Sequence, residues 1–120
     1  MKLSKKQINF INKNHVAILS TCDLKNKPNS VFIEICKIEN EENIIITDNE
    51  MKTTRKSLLQ NNNICLLIND KRYKSIKIFG KASYYTSGKY FDYVKGLRTN
   101  IGYSTKGAVV IRVFKIIELL

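Results

Sequence analysis

Hydrophobic and polar positions alternate along most of this chain, and the places where the period changes mark its elements. In NSVFIEICKIE (29–39), Val31, Ile33 and Ile35 alternate with Phe32, Glu34 and Cys36, the period of two expected of a β-strand. SIKIFGKASYYT (75–86) alternates in the same way, with Ile76, Ile78, Ala82 and Tyr84 on one face. Gly80 interrupts it at the middle and predicts a bend or bulge. Four further runs, HVAILSTCD (15–23), NIIITD (43–48), NICLLIND (63–70) and AVVIRVFKIIEL (108–119), are rich in Ile and Val and predict strands. The connections LKNKP, ENEEN and DKRYK are short and polar, which implies antiparallel neighbours.

Helical signals fall between or before these strands. Ser4 with Gln7 forms a capping box, and Leu3 and Ile8 occupy the two positions of a hydrophobic staple. This predicts an N-terminal helix within residues 1–14 that buries Ile8 and Ile11 and frays at Asn12–Asn14. A short helix is expected across Arg55–Gln60, and SGKYFDYVKGLR (87–98) predicts another, with Ser87 as cap and Gly96 near its end. TNIGYSTKG is expected as a loop. Six strands with two or three peripheral helices predict a mainly β, α+β architecture in which an antiparallel sheet closes into a barrel.

Length and composition set bounds on this picture. A chain of 120 residues is expected to form a single domain, 1–120, able to build a core without metal or disulfide staples. No apolar run approaches the roughly 20 residues of a membrane span. The N-terminus, MKLSKKQINF, lacks the features of a signal peptide, so a cytoplasmic location is expected. Cys22, Cys36 and Cys65 are odd in number, have no CxxC spacing and lie in strand-like runs, as reduced thiols acting as small hydrophobes would. The formal charge of +11 suggests a polyanionic partner, but 17 of the 21 basic residues are Lys in a chain also rich in Asn and Ile. All three residue types have A/T-rich codons, so genome composition alone can supply part of the bias.

Candidate chemistry concentrates where the third strand meets the following helix, in IIITDNEMKTTRKSLLQNNN (44–63). A helix N-terminus offers unpaired N–H groups and the positive end of a dipole, a natural cradle for phosphate. Thr53 and Thr54 could donate hydroxyls, and Lys52 and Arg55 charge. The same residues equally describe a threonine-capped surface helix whose cations face water. His15 is the only imidazole, and nothing in the sequence sets a nucleophile beside it. With no Walker loop, GxGxxG or HExxH motif, enzymatic chemistry would have to come from a cofactor. All six tyrosines lie between Tyr73 and Tyr103 among lysines. That mixture suits core or subunit packing, cofactor contact, or a single-strand nucleic-acid platform.

The order of elements and the junction resemble the FMN-binding split barrel of the pyridoxamine 5′-phosphate oxidase-like superfamily, over roughly residues 13–119. The resemblance rests on three features: VAILST with a turn ending in Pro28 and an alternating strand; IIITDNEMKTTRKSLLQNN; and the closing VVIRVFKIIEL. Thr54, Leu58 and Asn61 match the threonine, leucine and asparagine that small members carry. Thr53 stands at the family's lysine position, with Lys52 one place earlier, and Asn62 replaces the usual proline.

The resemblance implies a six-stranded antiparallel split β-barrel and a homodimer with FMN between subunits. It further implies a flavin phosphate on Lys52, Thr53, Thr54 and Arg55, and an isoalloxazine along Val31, Phe32, Ile33, Thr47 and Asp48. The implied activity is that of a small oxidoreductase or electron carrier working with a small-molecule donor or acceptor. The chain lacks the C-terminal extension that contributes substrate contacts in true pyridoxamine-phosphate oxidases, so vitamin B6 oxidation is not expected. The alternatives are a basic barrel for single-stranded nucleic acid, and a flavin-free member holding another anionic ligand. Neither nucleic acid nor membrane is the expected partner.

Overall fold

The computed structural model describes residues 1–120. In chain order the elements are α1 (Lys5–Lys13), β1 (Val16–Cys22), β2 (Pro28–Glu39), β3 (Asn43–Asp48), α2 (Lys52–Gln60), β4 (Asn63–Asn69), β5 (Ser75–Tyr85), α3 (Lys89–Lys95) and β6 (Gly107–Leu119). A single 3-10 turn, Arg98–Asn100, follows α3. The six strands close into one antiparallel barrel in the order β1-β2-β3-β6-β5-β4. The alternation seen in the sequence sorts as expected: Ile64, Leu66, Ile68, Ile76, Ile78 and Ala82 are buried inside, while Lys77 and Lys81 face out.

The continuous apolar run of β3 has its own explanation. Ile44 and Ile46 enter the barrel core, and Ile45 points outward but is equally buried, because α3 covers it. Val94 of α3 packs on Ile45, Ala108 and Val110, with Tyr90, Tyr93 and Leu97 around them. A strand covered on both faces needs no polar alternation.

The helices plug the two ends. α1 seals the end where β1, β3 and β5 begin, inserting Ile11 into the core, and the segment before it inserts Leu3. Its capping box is formed, with Ser4 N–H donating to Gln7 Oε1 (2.8 Å) and Gln7 N–H donating to Ser4 Oγ (3.2 Å). The helix does not fray at Asn12 as expected. It runs to Lys13, where the Asn14 side chain donates to the Phe10 carbonyl. α2 seals the opposite end, between the finish of β3 and the start of β4, with Leu58 in the core.

Two bulges shape the wall. At Gly80 the register shifts so that Phe79 faces Lys115 while Gly80 faces Val113, leaving Phe114 as the extra residue of β6. A Cβ on Gly80 would lie 2.5 Å from Ile111 Cγ2 and 2.8 Å from the Arg112 carbonyl oxygen, so only glycine fits. The second bulge lies between Ile35 and Lys37, where Cys36 is the extra residue. Beyond it β2 and β3 part: Val31–Glu34 pair with β1 alone, and Thr47 and Asp48 with β6 alone. This gap is the split in the barrel.

One inward polar group has no partner. Thr21, 4% exposed, buries its Oγ1 without a hydrogen bond. An unpaired buried hydroxyl destabilises, and valine has nearly the same shape. Thr21→Val is therefore expected to raise stability by about 1 kcal/mol in chemical denaturation. A loss of stability would mean that the hydroxyl has a partner in solution.

Candidate functional site

The site is built where β3 ends. Asp48 has no exposed surface, yet it is an aspartate, so its charge must be answered locally. Arg55 Nε donates to its Oδ2 at 2.6 Å and Arg55 Nη2 to its Oδ1 at 3.4 Å. The Tyr84 hydroxyl donates to Oδ2 (2.5 Å), and the Met51 N–H to Oδ1 (2.9 Å). Burial pushes the carboxyl up, but the bonds from Arg55, Tyr84 and Met51 outweigh it and hold the group below its ordinary value. Burial first, and then the Asp48 bond, push the Tyr84 phenol up to about 12. The Tyr84 ring lies over Gly107, where a Cβ would come within 2.5 Å of its Cζ. One carboxylate thus fastens together the end of β3, the start of α2 and the end of β5.

This fastening explains a difference from the sequence reading. The helix begins at Lys52 and not at Arg55, because Asp48 takes the Met51 N–H and the Arg55 N–H bonds back to the Met51 carbonyl (2.6 Å). The cap residue is Met51, not a threonine, and no side-chain cap or acidic residue occupies the first turn. The N–H groups of Lys52, Thr53 and Thr54 therefore open the helix without an intrahelical acceptor. Lys52 and Thr53 border a hollow of about 640 Å³ lined also by Lys27, Asn29, Arg55 and Lys56, among others. None of its three lysines forms an ion pair. Its one carboxylate, Asp23, is engaged by the Lys25 and Lys27 N–H groups of its own turn.

A second hollow, of about 530 Å³, lies in the split and is mostly apolar. Val31, Phe32, Ile33, Cys36 and Thr47 form its strand side, and Tyr103 closes it from the loop after α3. That loop is tied to β3 through Asn100, whose side chain donates to Thr47 Oγ1 (3.0 Å) and to the Val94 carbonyl (2.6 Å). Asn49 Nδ2 in turn donates to Asn100 Oδ1 (3.0 Å). Burial pushes the Cys36 thiol up, so it stands beside Thr47 as a neutral group. A third hollow, lined by Asn49, Glu50, Lys52, Arg55, Ser104 and Lys106, borders the apolar hollow at Asn49 and Glu50 and the basic one at Lys52 and Arg55.

Of the residues singled out from sequence, Val31, Phe32, Ile33 and Thr47 line the apolar hollow, and Lys52, Thr53 and Arg55 the basic one. Ile33 presents main chain there, its side chain being buried in the core. Two residues are placed differently. Asp48 has no exposed surface and acts through Arg55. Thr54 is 1% exposed, and its Oγ1 accepts from Asn29 Nδ2 (2.9 Å), so it ties α2 to β2 and does not offer its hydroxyl to the hollow. Lys27, Asn29, Asn100, Tyr103 and Lys106 were missed, because each is distant in sequence from the junction: Asn29 arrives from the start of β2 and the others from loops or turns.

A family profile described as pyridoxamine 5′-phosphate oxidase matches residues 3–118. The chain belongs to the pyridoxamine 5′-phosphate oxidase family. An uncharacterized protein of Methanocaldococcus jannaschii is 26% identical, over 99% of this chain and 82% of that protein. Among solved structures, HupZ of Group A Streptococcus superposes with TM-score 0.87 at 23% identity, over 98% of this chain and 94% of that one. An FMN-binding protein from Syntrophomonas wolfei gives TM-score 0.78 at 21% identity (93% and 82%). HutZ, the heme storage protein from Vibrio cholerae, gives 0.75 at 12% (98% and 95%). The pyridoxamine 5′-phosphate oxidase fold is thus shared by proteins described with different cofactors, and the choice for this member rests on its own residues.

Proposed function

We propose that this chain binds FMN non-covalently in the split, as a homodimer, and serves as a small oxidoreductase or electron carrier. The observation that carries the reading is the junction of an apolar hollow, edged by unpaired main chain of β2, with a basic hollow at an uncapped helix N-terminus. A flat apolar ring with polar edges suits the first. A phosphomonoester suits the second, where Lys52, Thr53, Arg55 and the opening N–H groups of α2 would hold it. FMN, when bound, supplies electron or hydride transfer; the chain orients it, excludes water and sets the local charge. The carboxylates of Glu34 and Glu50 line the apolar hollow, and the donor or acceptor is proposed as a separate small molecule.

The homodimer is supported by the outer wall. Phe32, 78% exposed, faces Ile18 on β1, which faces Leu67 on β4, an apolar row of three strands that begins at the mouth of the apolar hollow. Exposed apolar rows of this kind mark interfaces, and a second copy on this one would close the split.

The test is an absorption spectrum of the purified protein, repeated after adding FMN and removing the excess by gel filtration. Retained flavin bands near one FMN per chain are the expected result. A colourless protein, or a Soret band in their place, would overturn the flavin reading, the latter in favour of heme.

A further inference from the structure

At the end of the barrel opposite α2, a groove of about 930 Å³ runs between α1 and the turn joining β4 to β5. Lys6 and Lys13 of α1 line one side, and Lys71, Arg72 and Lys74 of the turn the other. It shares no residue with the hollows described above. A lysine-rich chain scatters cations everywhere, but this groove concentrates five of them, and none forms an ion pair. The one acidic side chain in the lining, Asp70, is turned back into its own loop, where its Oδ1 accepts the Arg72 and Lys74 N–H groups (2.8 and 3.0 Å). Five like charges around one concavity repel each other unless a polyanion answers them.

The same turn carries an aromatic that the fold does not use. Of the six tyrosines, Tyr84 is bonded to Asp48, Tyr90 and Tyr93 pack from α3 against the cluster around Ile45, Tyr85 stacks on Tyr90, and Tyr103 lines the apolar hollow. Tyr73 packs on nothing. It is 88% exposed at the tip of the turn with φ +63°, a backbone position that suits asparagine or glycine far better than tyrosine. It stands there against local preference, between Arg72 and Lys74, with its ring presented to solvent just outside the groove lining. A ring beside a line of cations is the pairing that holds single strands: phosphates meet the charges and a base stacks on the ring.

We propose that this groove binds single-stranded nucleic acid, with Lys6, Lys13, Lys71, Arg72 and Lys74 on the phosphates and Tyr73 stacking a base. The proposal does not depend on the flavin reading.

The test is fluorescence anisotropy of a labelled oligo-dU strand titrated with the full chain at rising salt. Binding is expected to weaken with a log–log slope of about −3.5, since each of the five phosphates contacted on a single strand contributes about −0.7. Lys71→Glu with Arg72→Glu is expected to lower affinity at least tenfold and flatten the slope. Tyr73→Ala is expected to lower affinity about tenfold with the slope unchanged. The matched reversal Lys89→Glu with Lys95→Glu, on exposed α3, is expected to have little effect, and all variants to keep the parent melting temperature. If the α3 reversal weakens binding as much as the turn reversal, binding is only a matter of net charge and the proposal fails. It fails too if Tyr73→Ala changes nothing, or if the chain binds phosphatidylserine vesicles and no oligonucleotide. FMN retention by the turn variants should equal that of the parent, so loss of one activity is distinguishable from loss of the other.

Discussion

Asp48→Ala should cost about 3 kcal/mol or more of folding stability, the range found when one member of a buried ion pair is removed. The carboxylate has no exposed surface and answers Arg55, Tyr84 and the Met51 N–H, so its loss frees three donors and unpins the start of α2. Urea denaturation of the variant measures the cost. A change within about 0.5 kcal/mol, the size of an ordinary surface substitution, would contradict the account. The pH dependence carries the same signature. The Asp48 carboxyl is held low in the folded chain, so its contribution is complete above the unfolded value near 4 and fades as acid protonates it. The Tyr84 phenol is raised to about 12, so its contribution is complete below about 10 and lost as pH climbs from there towards 12. In the Asp48→Ala variant the acid flank should flatten, and the alkaline loss, still beginning near 10, should become smaller because burial alone then raises the Tyr84 phenol.

The second large effect concerns affinity and not stability. Lys52→Ala combined with Thr53→Ala should weaken FMN binding about 100-fold, because a charge-assisted bond and a hydroxyl bond to the phosphate disappear together. Both side chains are exposed, so the melting temperature should scarcely change. Fluorescence titration of FMN reads the affinity directly. Unchanged affinity would place the phosphate elsewhere, and a large drop in melting temperature would mean the residues serve the fold. Thr53 stands at the family's lysine position, with the charge one residue earlier. This variant therefore also tests whether a cation arriving from Lys52 does the same work.

The wall of the barrel was legible because alternation is a local signal. Ile76, Ile78 and Ala82 announce their face by spacing alone, and Gly80 its bulge by lacking a side chain. The site was legible in its residue types and less so in its assignments. Thr54 looked like a ligand because its hydroxyl sits among cations, yet Thr54, Ser57 and Leu58 follow the i, i+3, i+4 spacing of a buried helix face. That pattern was present in the sequence and pointed to the answer. The early start of α2 was not, since it depends on a carboxylate whose ionisation is set by Arg55 and Tyr84 from other elements. Nor could spacing show that Cys36 would be the extra residue of β2, or that the strands would part there. A bulge depends on the partner strand, and the parting depends on β1 and β6, which hold β2 and β3 by their other edges.

The parting of β2 from β3 also bears on how the protein behaves when crowded. From Val31 to Glu34 the main chain of β2 offers donors and acceptors on its open side, the template on which stray strands add and fibrous assemblies grow. The edge is short, the Glu34 charge interrupts it, and the Cys36 bulge ends it, each a brake on such growth. Whatever fills the split removes the remainder of the hazard. On the proposed flavin reading the bound ligand would thus also guard against aggregation, and the filled protein would remain dispersed at concentrations where an open edge recruits its neighbours.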